Sequence, residues 1–188
     1  MDVSIPFGGG CACGAIRYEC TSLPLFVFQC HCRDCQRATG GPYAVNVWFR
    51  LPDISFSAEP TNFVVQADSG HAIHHYFCRD CGSPLGMQRV AGMARGVRAA
   101  SLDDPSWLIP MANVWTCKAY PWEQLDPGLK AFETQPREDE WPSIFEEQVQ
   151  RIQHHVKSTL EYRRQSSSKD GIRHSRRLHQ GPIATEAV

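Results

Sequence analysis

Apolar and polar positions alternate with a period of two along much of the first 125 residues. In residues 14–20, Ile16, Tyr18 and Cys20 fall on one side and Arg17 and Glu19 on the other, as in a strand with one buried face. Residues 43–50, 62–67, 72–77 and 111–116 carry β-branched and aromatic side chains in strand-length runs, separated by Gly and Pro. Only residues 33–39 invite a helix here, one of about two turns. The pattern therefore predicts an all-β core with one short helical turn. Beyond Trp122 the period changes: Phe145, Val149, Ile152, Val156 and Leu160 recur at helical spacing, which predicts an amphipathic helix from about Pro142 or Ser143. Such a stripe covers either the sheet or a second copy of the chain, so a homo-oligomer formed through this helix is one expectation. Residues 166–188 open with three serines and carry few apolar positions, and are expected to remain a disordered tail.

Composition narrows the picture. A chain of 188 residues that is 42% hydrophobic can bury one good core, so residues 1–125 are read as one domain and 126–165 as linker and helix. A formal charge of -1 gives no global reason to expect nucleic acid or a membrane. The basic residues between Lys157 and His179 read as a solvated tail, and a nucleic-acid partner is disfavoured because no aromatics interleave them. Residues 1–10 lack a basic, apolar leader and no run reaches the ~20 apolar residues of a membrane span. The expectation is a soluble, intracellular, cytoplasmic protein.

Nine cysteines add the chemistry. Their odd number and the close C-x-C pair argue against disulfides and for thiolate metal ligands. Cys11 and Cys13 form a C-x-C, and Cys78 and Cys81 a C-x-x-C. Two such pairs on two turns supply the four soft ligands of a closed, structural zinc site. Cys30, Cys32 and Cys35 can hold a second zinc on three sides. Its fourth position is either open, for a thiol or water, or closed by His31 or a distant residue. An open position suits chemistry, because the cation favours a bound thiolate and polarises a carbonyl oxygen. Arg37 and Thr39, just beyond these ligands, can meet a substrate carboxylate, or else be a surface residue and a local cap. His71, His74 and His75 are read as exposed or hydrogen-bonded rather than as ligands. Cys20 and Cys117 are read as small core residues, and Trp48, Trp107, Trp115 and Trp122 as packing rather than a ligand cage. A thioredoxin-like role is set aside, since Gly82-Ser83-Pro84 follows the C-x-x-C where a helix would be needed.

Three motifs carry a family resemblance. Gly9-Gly10-Cys11-Ala12-Cys13-Gly14-Ala15-Ile16-Arg17-Tyr18-Glu19 resembles the opening of the glutathione-dependent formaldehyde-activating enzyme family, also called the centromere-protein-V family. Cys30-His31-Cys32-Arg33-Asp34-Cys35-Gln36-Arg37-Ala38-Thr39-Gly40-Gly41-Pro42 resembles its second motif, and Phe77-Cys78-Arg79-Asp80-Cys81-Gly82-Ser83-Pro84-Leu85 its third; Ser101-Leu102-Asp103-Asp104-Pro105 is a weaker fourth. The likeness spans about residues 7–122. It implies twisted antiparallel sheets folded like a tent, similar to the zinc-binding Rab-chaperone fold. It also implies two zinc ions: a structural one on Cys11, Cys13, Cys78 and Cys81, and a labile, reactive one on Cys30, Cys32 and Cys35. The implied activity is that of a carbon–sulfur lyase that handles S-hydroxymethylglutathione, formed from glutathione and formaldehyde. The alternative is a zinc-scaffolded interaction module without catalysis.

Overall fold

A computed structural model describes residues 4–137, 139–147 and 149–151. The strands are β1 (Phe7–Gly10), β2 (Arg17–Cys20), β3 (Phe26–Cys30), β4 (Ala44–Arg50), β5 (Ile54–Phe56), β6 (Thr61–Gln66), β7 (Ala72–Phe77), β8 (Pro84–Arg89), β9 (Ala94–Arg98), β10 (Ala112–Val114) and β11 (Lys130–Phe132), with α1 (Arg33–Thr39) between β3 and β4. They form a three-stranded sheet ordered β1-β2-β5 and an eight-stranded sheet ordered β11-β10-β3-β4-β9-β8-β7-β6. The all-β expectation holds, with one difference. β10 pairs in parallel with both β3 and β11, because it returns to the sheet after the long connection from β9 rather than through a hairpin.

The pleat gives the large sheet two different faces. Val45, Val47 and Phe49 of β4 turn with Val27, Leu85 and Val97 toward the small sheet's Ile16, Tyr18, Cys20 and Ile54, forming the main core. Cys20 is fully buried there. The intervening residues, Phe26, Phe28 and Cys30 of β3 and Ala44 and Trp48 of β4, face the other way into a second cluster with Val114, Trp141 and Ile144. Trp141 opens the C-terminal helix. Its buried face is Trp141, Ile144 and Phe145, an i, i+3, i+4 set, packed through Trp141–Phe26 (5.2 Å) and Phe145–Phe26 (5.3 Å). Val149, expected in the buried stripe, is half exposed, since the contact with the sheet is made by Trp141, Ile144 and Phe145 in the first turn. The described turns of this helix therefore spend their apolar face on the chain's own sheet, and nothing in them supports a dimer. Ile152, Val156, Leu160 and the tail 166–188 lie outside the described residues. The span read as linker contains β11, and Cys117, expected in the core, is exposed.

Candidate functional site

The first cysteine cluster is built by two tight turns. After β1, Cys11 N–H donates to the Ile16 carbonyl (3.0 Å) and Gly14 N–H to the Cys11 carbonyl (3.1 Å). After β7, Gly82 N–H donates to the Cys78 carbonyl (2.9 Å). Gly14 and Gly82 take φ of 79° and 72°, the left-handed region that glycine enters freely. The turns face each other, so Cys11 and Cys13 sulfurs lie 3.5 Å apart and Cys13 and Cys78 sulfurs 3.8 Å apart. A zinc tetrahedron with ~2.3 Å bonds has edges of ~3.8 Å, so this donor set fits that ion. Outer hydrogen bonds favour thiolate: Ile16 N–H donates to Cys11 Sγ (3.2 Å) and lowers its pKa, while the Ser83 hydroxyl and amide lower Cys81 to about 6. Ser83 also ties the turns together, accepting from Ala12 N–H at 3.1 Å.

The second cluster sits where β3 runs into α1. Cys30 ends the strand, Cys32 caps the helix by accepting from Cys35 N–H (3.4 Å), and Cys35 lies on its first turn. The three sulfurs lie within 4.8 Å of one another, and among the described residues no fourth Cys, His, Asp or Glu joins them. His31 does not. Its side chain is fully buried on the other side, with Nε2 3.0 Å from Asn113 Oδ1 and Nδ1 donating to Glu123 Oε2 at 3.2 Å. The three sulfurs leave one side without a protein ligand among the described residues, and they line the cleft.

Two residues of the large sheet hold Cys35. Asn46 Nδ2 donates to its sulfur at 3.6 Å and Arg98 Nη1 approaches at 3.5 Å, while Arg98 Nη1 also donates to Asn46 Oδ1 at 2.5 Å. Both side chains are buried. Hydrogen bonds from Cys30 and Cys32, joined by the nearby Arg98 charge, hold Cys35 well below the usual thiol range despite burial. The same bonds, now working against charge on Cys30, raise that residue. The negative charge of the cluster thus gathers on the sulfur beside the guanidinium.

These thiols floor one end of a cleft of about 710 Å³ on the second face of the large sheet. Phe26, Phe28, Trp48 and Trp141 form one wall, Ile73, His75 and Met87 the other, and residues 134–137 part of the rim. Trp48 and Trp115, read as packing from sequence, line this cleft. Trp107 is buried in the main core and Trp122 is exposed. His74 Nδ1 bonds Asn62 Oδ1 at 2.8 Å. His75 is buried in the cleft wall, and burial, with Arg98 nearby, lowers its pKa. Neither Arg37 nor Thr39 lines the cleft. Thr39 Oγ1 donates to the Cys35 carbonyl at 3.0 Å, and Arg37, 72% exposed, pairs with Asp34 at 3.9 Å on a smaller cavity across α1.

Asn46, Arg98 and the aromatic wall escaped sequence reasoning. Phe26 and Phe28 were accessible to it, because they alternate in register with Cys30. Arg98 carried no such signal, since its role depends on pairing of β4 with β9, which sets Arg98 opposite Asn46.

The family model described as glutathione-dependent formaldehyde-activating enzyme matches residues 6–118. No curated protein matches the chain. Among solved structures, the crystal structure of a Rhodobacter sphaeroides protein aligns with a TM-score of 0.42 and 24% identity, over 66% of this chain and 98% of that one. No helix among the described residues is long and apolar enough to cross a membrane.

Proposed function

The chain belongs to the glutathione-dependent formaldehyde-activating enzyme family, and on that footing we propose that it is a two-zinc enzyme of the carbon–sulfur lyase class, acting on a glutathione–aldehyde adduct. The observation that carries this reading is the set of three sulfurs, Cys30, Cys32 and Cys35, gathered at the floor of an open cleft with no fourth protein donor among the described residues. In this reading Cys11, Cys13, Cys78 and Cys81 hold a closed structural ion. A zinc on the second set would favour the thiolate form of an incoming thiol and polarise a carbonyl oxygen.

The chain's own residues do the rest. Arg98 and Asn46 fix Cys35 and balance its charge, which keeps the three-sulfur set in one geometry. The fully buried His31, clamped between Asn113 and Glu123, braces the turn between Cys30 and Cys32. The cleft walls place thiol and aldehyde side by side. In the overall reaction the glutathione sulfur bonds to the aldehyde carbon, the carbonyl π bond breaks, and the thiol proton ends on oxygen. Cys32→Ser tests the assignment: adduct formation, followed by NMR, should fall to the uncatalysed rate while circular dichroism stays native. Retained turnover in that variant would refute the role given to the second cluster.

A further inference from the structure

The cleft beside the three thiols is larger and more aromatic than a formaldehyde carbon requires. Successive strand pairings set Phe26 opposite Trp48, Trp48 opposite Gly96, Gly96 opposite Met87, and Met87 opposite His75. This row runs from one wall of the cleft to the other, two residues along the strands from Asn46 and Arg98, a step of roughly 7 Å. Gly96 shapes it. A Cβ there would lie 2.7 Å from Met87 Sδ and 3.0 Å from the Trp48 ring, so the missing side chain lets the indole and the thioether close over the strand as a flat apolar floor. Trp141 stands over the same row, 5.2 Å from Phe26 and 6.5 Å from Phe28. It lies beyond the family-matched residues 6–118 and joins Phe26, Phe28 and Trp48, which lie within them, in one wall.

The two walls also hold unmet hydrogen-bonding groups. Trp48 Nε1 and His75 Nδ1 are buried without a partner among the described residues, and His75 is only 7% exposed. Buried polar groups left in this state are uncommon, and one on each wall of the cleft suits a bound molecule that brings a hydrogen-bonding atom to a largely apolar slot.

We propose that this cleft takes an aldehyde whose carbonyl carbon bears an aromatic group, with the ring lying against Trp48 and Trp141 and the thiol adduct reaching the Cys30, Cys32 and Cys35 end. This specifies the substrate class within the thiol–aldehyde reading above and rests on it for the reaction. The thiol adds across the C=O bond: a C–S bond forms, the π bond breaks, the S–H proton moves to oxygen, and no oxidant is needed.

The test separates binding from turnover. Zinc-loaded full-length protein is titrated calorimetrically with S-benzylglutathione and with S-methylglutathione, which differ only in the group the slot would receive. The benzyl compound should bind at least about tenfold more tightly, the discrimination one apolar group commonly gains in a fitted pocket. Trp141→Ala should shrink that ratio, and Trp141→Leu, which keeps an apolar side chain on the docked helix, should shrink it less. Equal affinities for wild-type protein would overturn the inference whatever the variants do. With glutathione held constant, kcat/KM should then be higher for benzaldehyde than for formaldehyde. Formaldehyde turnover without a benzyl preference would leave the enzyme reading intact and remove this one. A benzyl preference with no turnover of either aldehyde would remove the enzyme reading and leave the aromatic slot in place.

Discussion

The two cysteine clusters use the same ligand chemistry in opposite settings. Cys11, Cys13, Cys78 and Cys81 sit on two exposed turns, with Cys13 and Cys81 open to solvent, and their outer hydrogen bonds come from local amides and Ser83. Cys30, Cys32 and Cys35 sit deeper, and Cys35 is held by Asn46 and Arg98, side chains brought from two strands of the large sheet. Four sulfurs, two buried on Cys11 and Cys78 and two on the exposed Cys13 and Cys81, complete a tetrahedron and join distant parts of the chain. Three sulfurs at the floor of a cleft leave one side for something else. Completeness of the ligand set, rather than burial, separates a structural role from a reactive one.

The largest effect should follow from breaking the complete set. Apparent structural zinc binding supplies on the order of 10 kcal/mol or more, comparable with the whole stability of a domain, about 5–15 kcal/mol. Cys78→Ser should therefore abolish the cooperative thermal transition of the full chain, whereas Cys32→Ser should keep it and lose one metal. If both variants melt alike, the clusters do not differ as described.

Next in size is the shell of side chains around the three-sulfur set. Arg98→Met should weaken the second metal by about 10–100-fold, as loss of such partners commonly does, measured by chelator competition, and leave the first metal's affinity unchanged. The same variant sharpens the electrostatic account in metal-free protein. The folded pKa of Cys35 lies below the unfolded value, so its stabilising contribution is present above the unfolded thiol value and is lost as pH falls through the folded one. Ultraviolet thiolate absorbance should show this titration move upward in Arg98→Met. An unchanged titration would mean the neighbouring thiols alone set it.

The smallest effect concerns His75, whose pKa burial lowers. Being neutral in the fold and more readily protonated when unfolded, it should cost stability as pH falls below the ordinary histidine value near 6.5. His75→Gln should flatten that part of the pH–stability curve, read from denaturant midpoints between pH 7 and about 5.

How much was legible beforehand follows from the range of each signal. The α1 turn, the strand over residues 72–77 and both cysteine sets were readable because short spacing and local period encode them. β1 was missed because Phe7 is followed by three glycines, which carry no alternation. Its close fit is tertiary: a Cβ on Gly9 would collide with Tyr18 and the Ser101 carbonyl. β10 was anticipated as a strand, but its parallel partners were not, since pairing direction depends on the path of the connection. Arg37 and Thr39 were singled out by nearness in sequence to Cys35. α1 turns them away from the cleft, and Asn46 on β4 and Arg98 on β9 take the places beside the sulfur.

The contrast between the two clusters is tested most directly by counting zinc on purified full-length protein and following its release to a mild chelator, with and without glutathione. Two zinc ions per chain are expected, one released readily and altered in its release by glutathione, and that one alone missing from Cys32→Ser. Two ions released equally slowly and indifferent to glutathione would contradict that contrast.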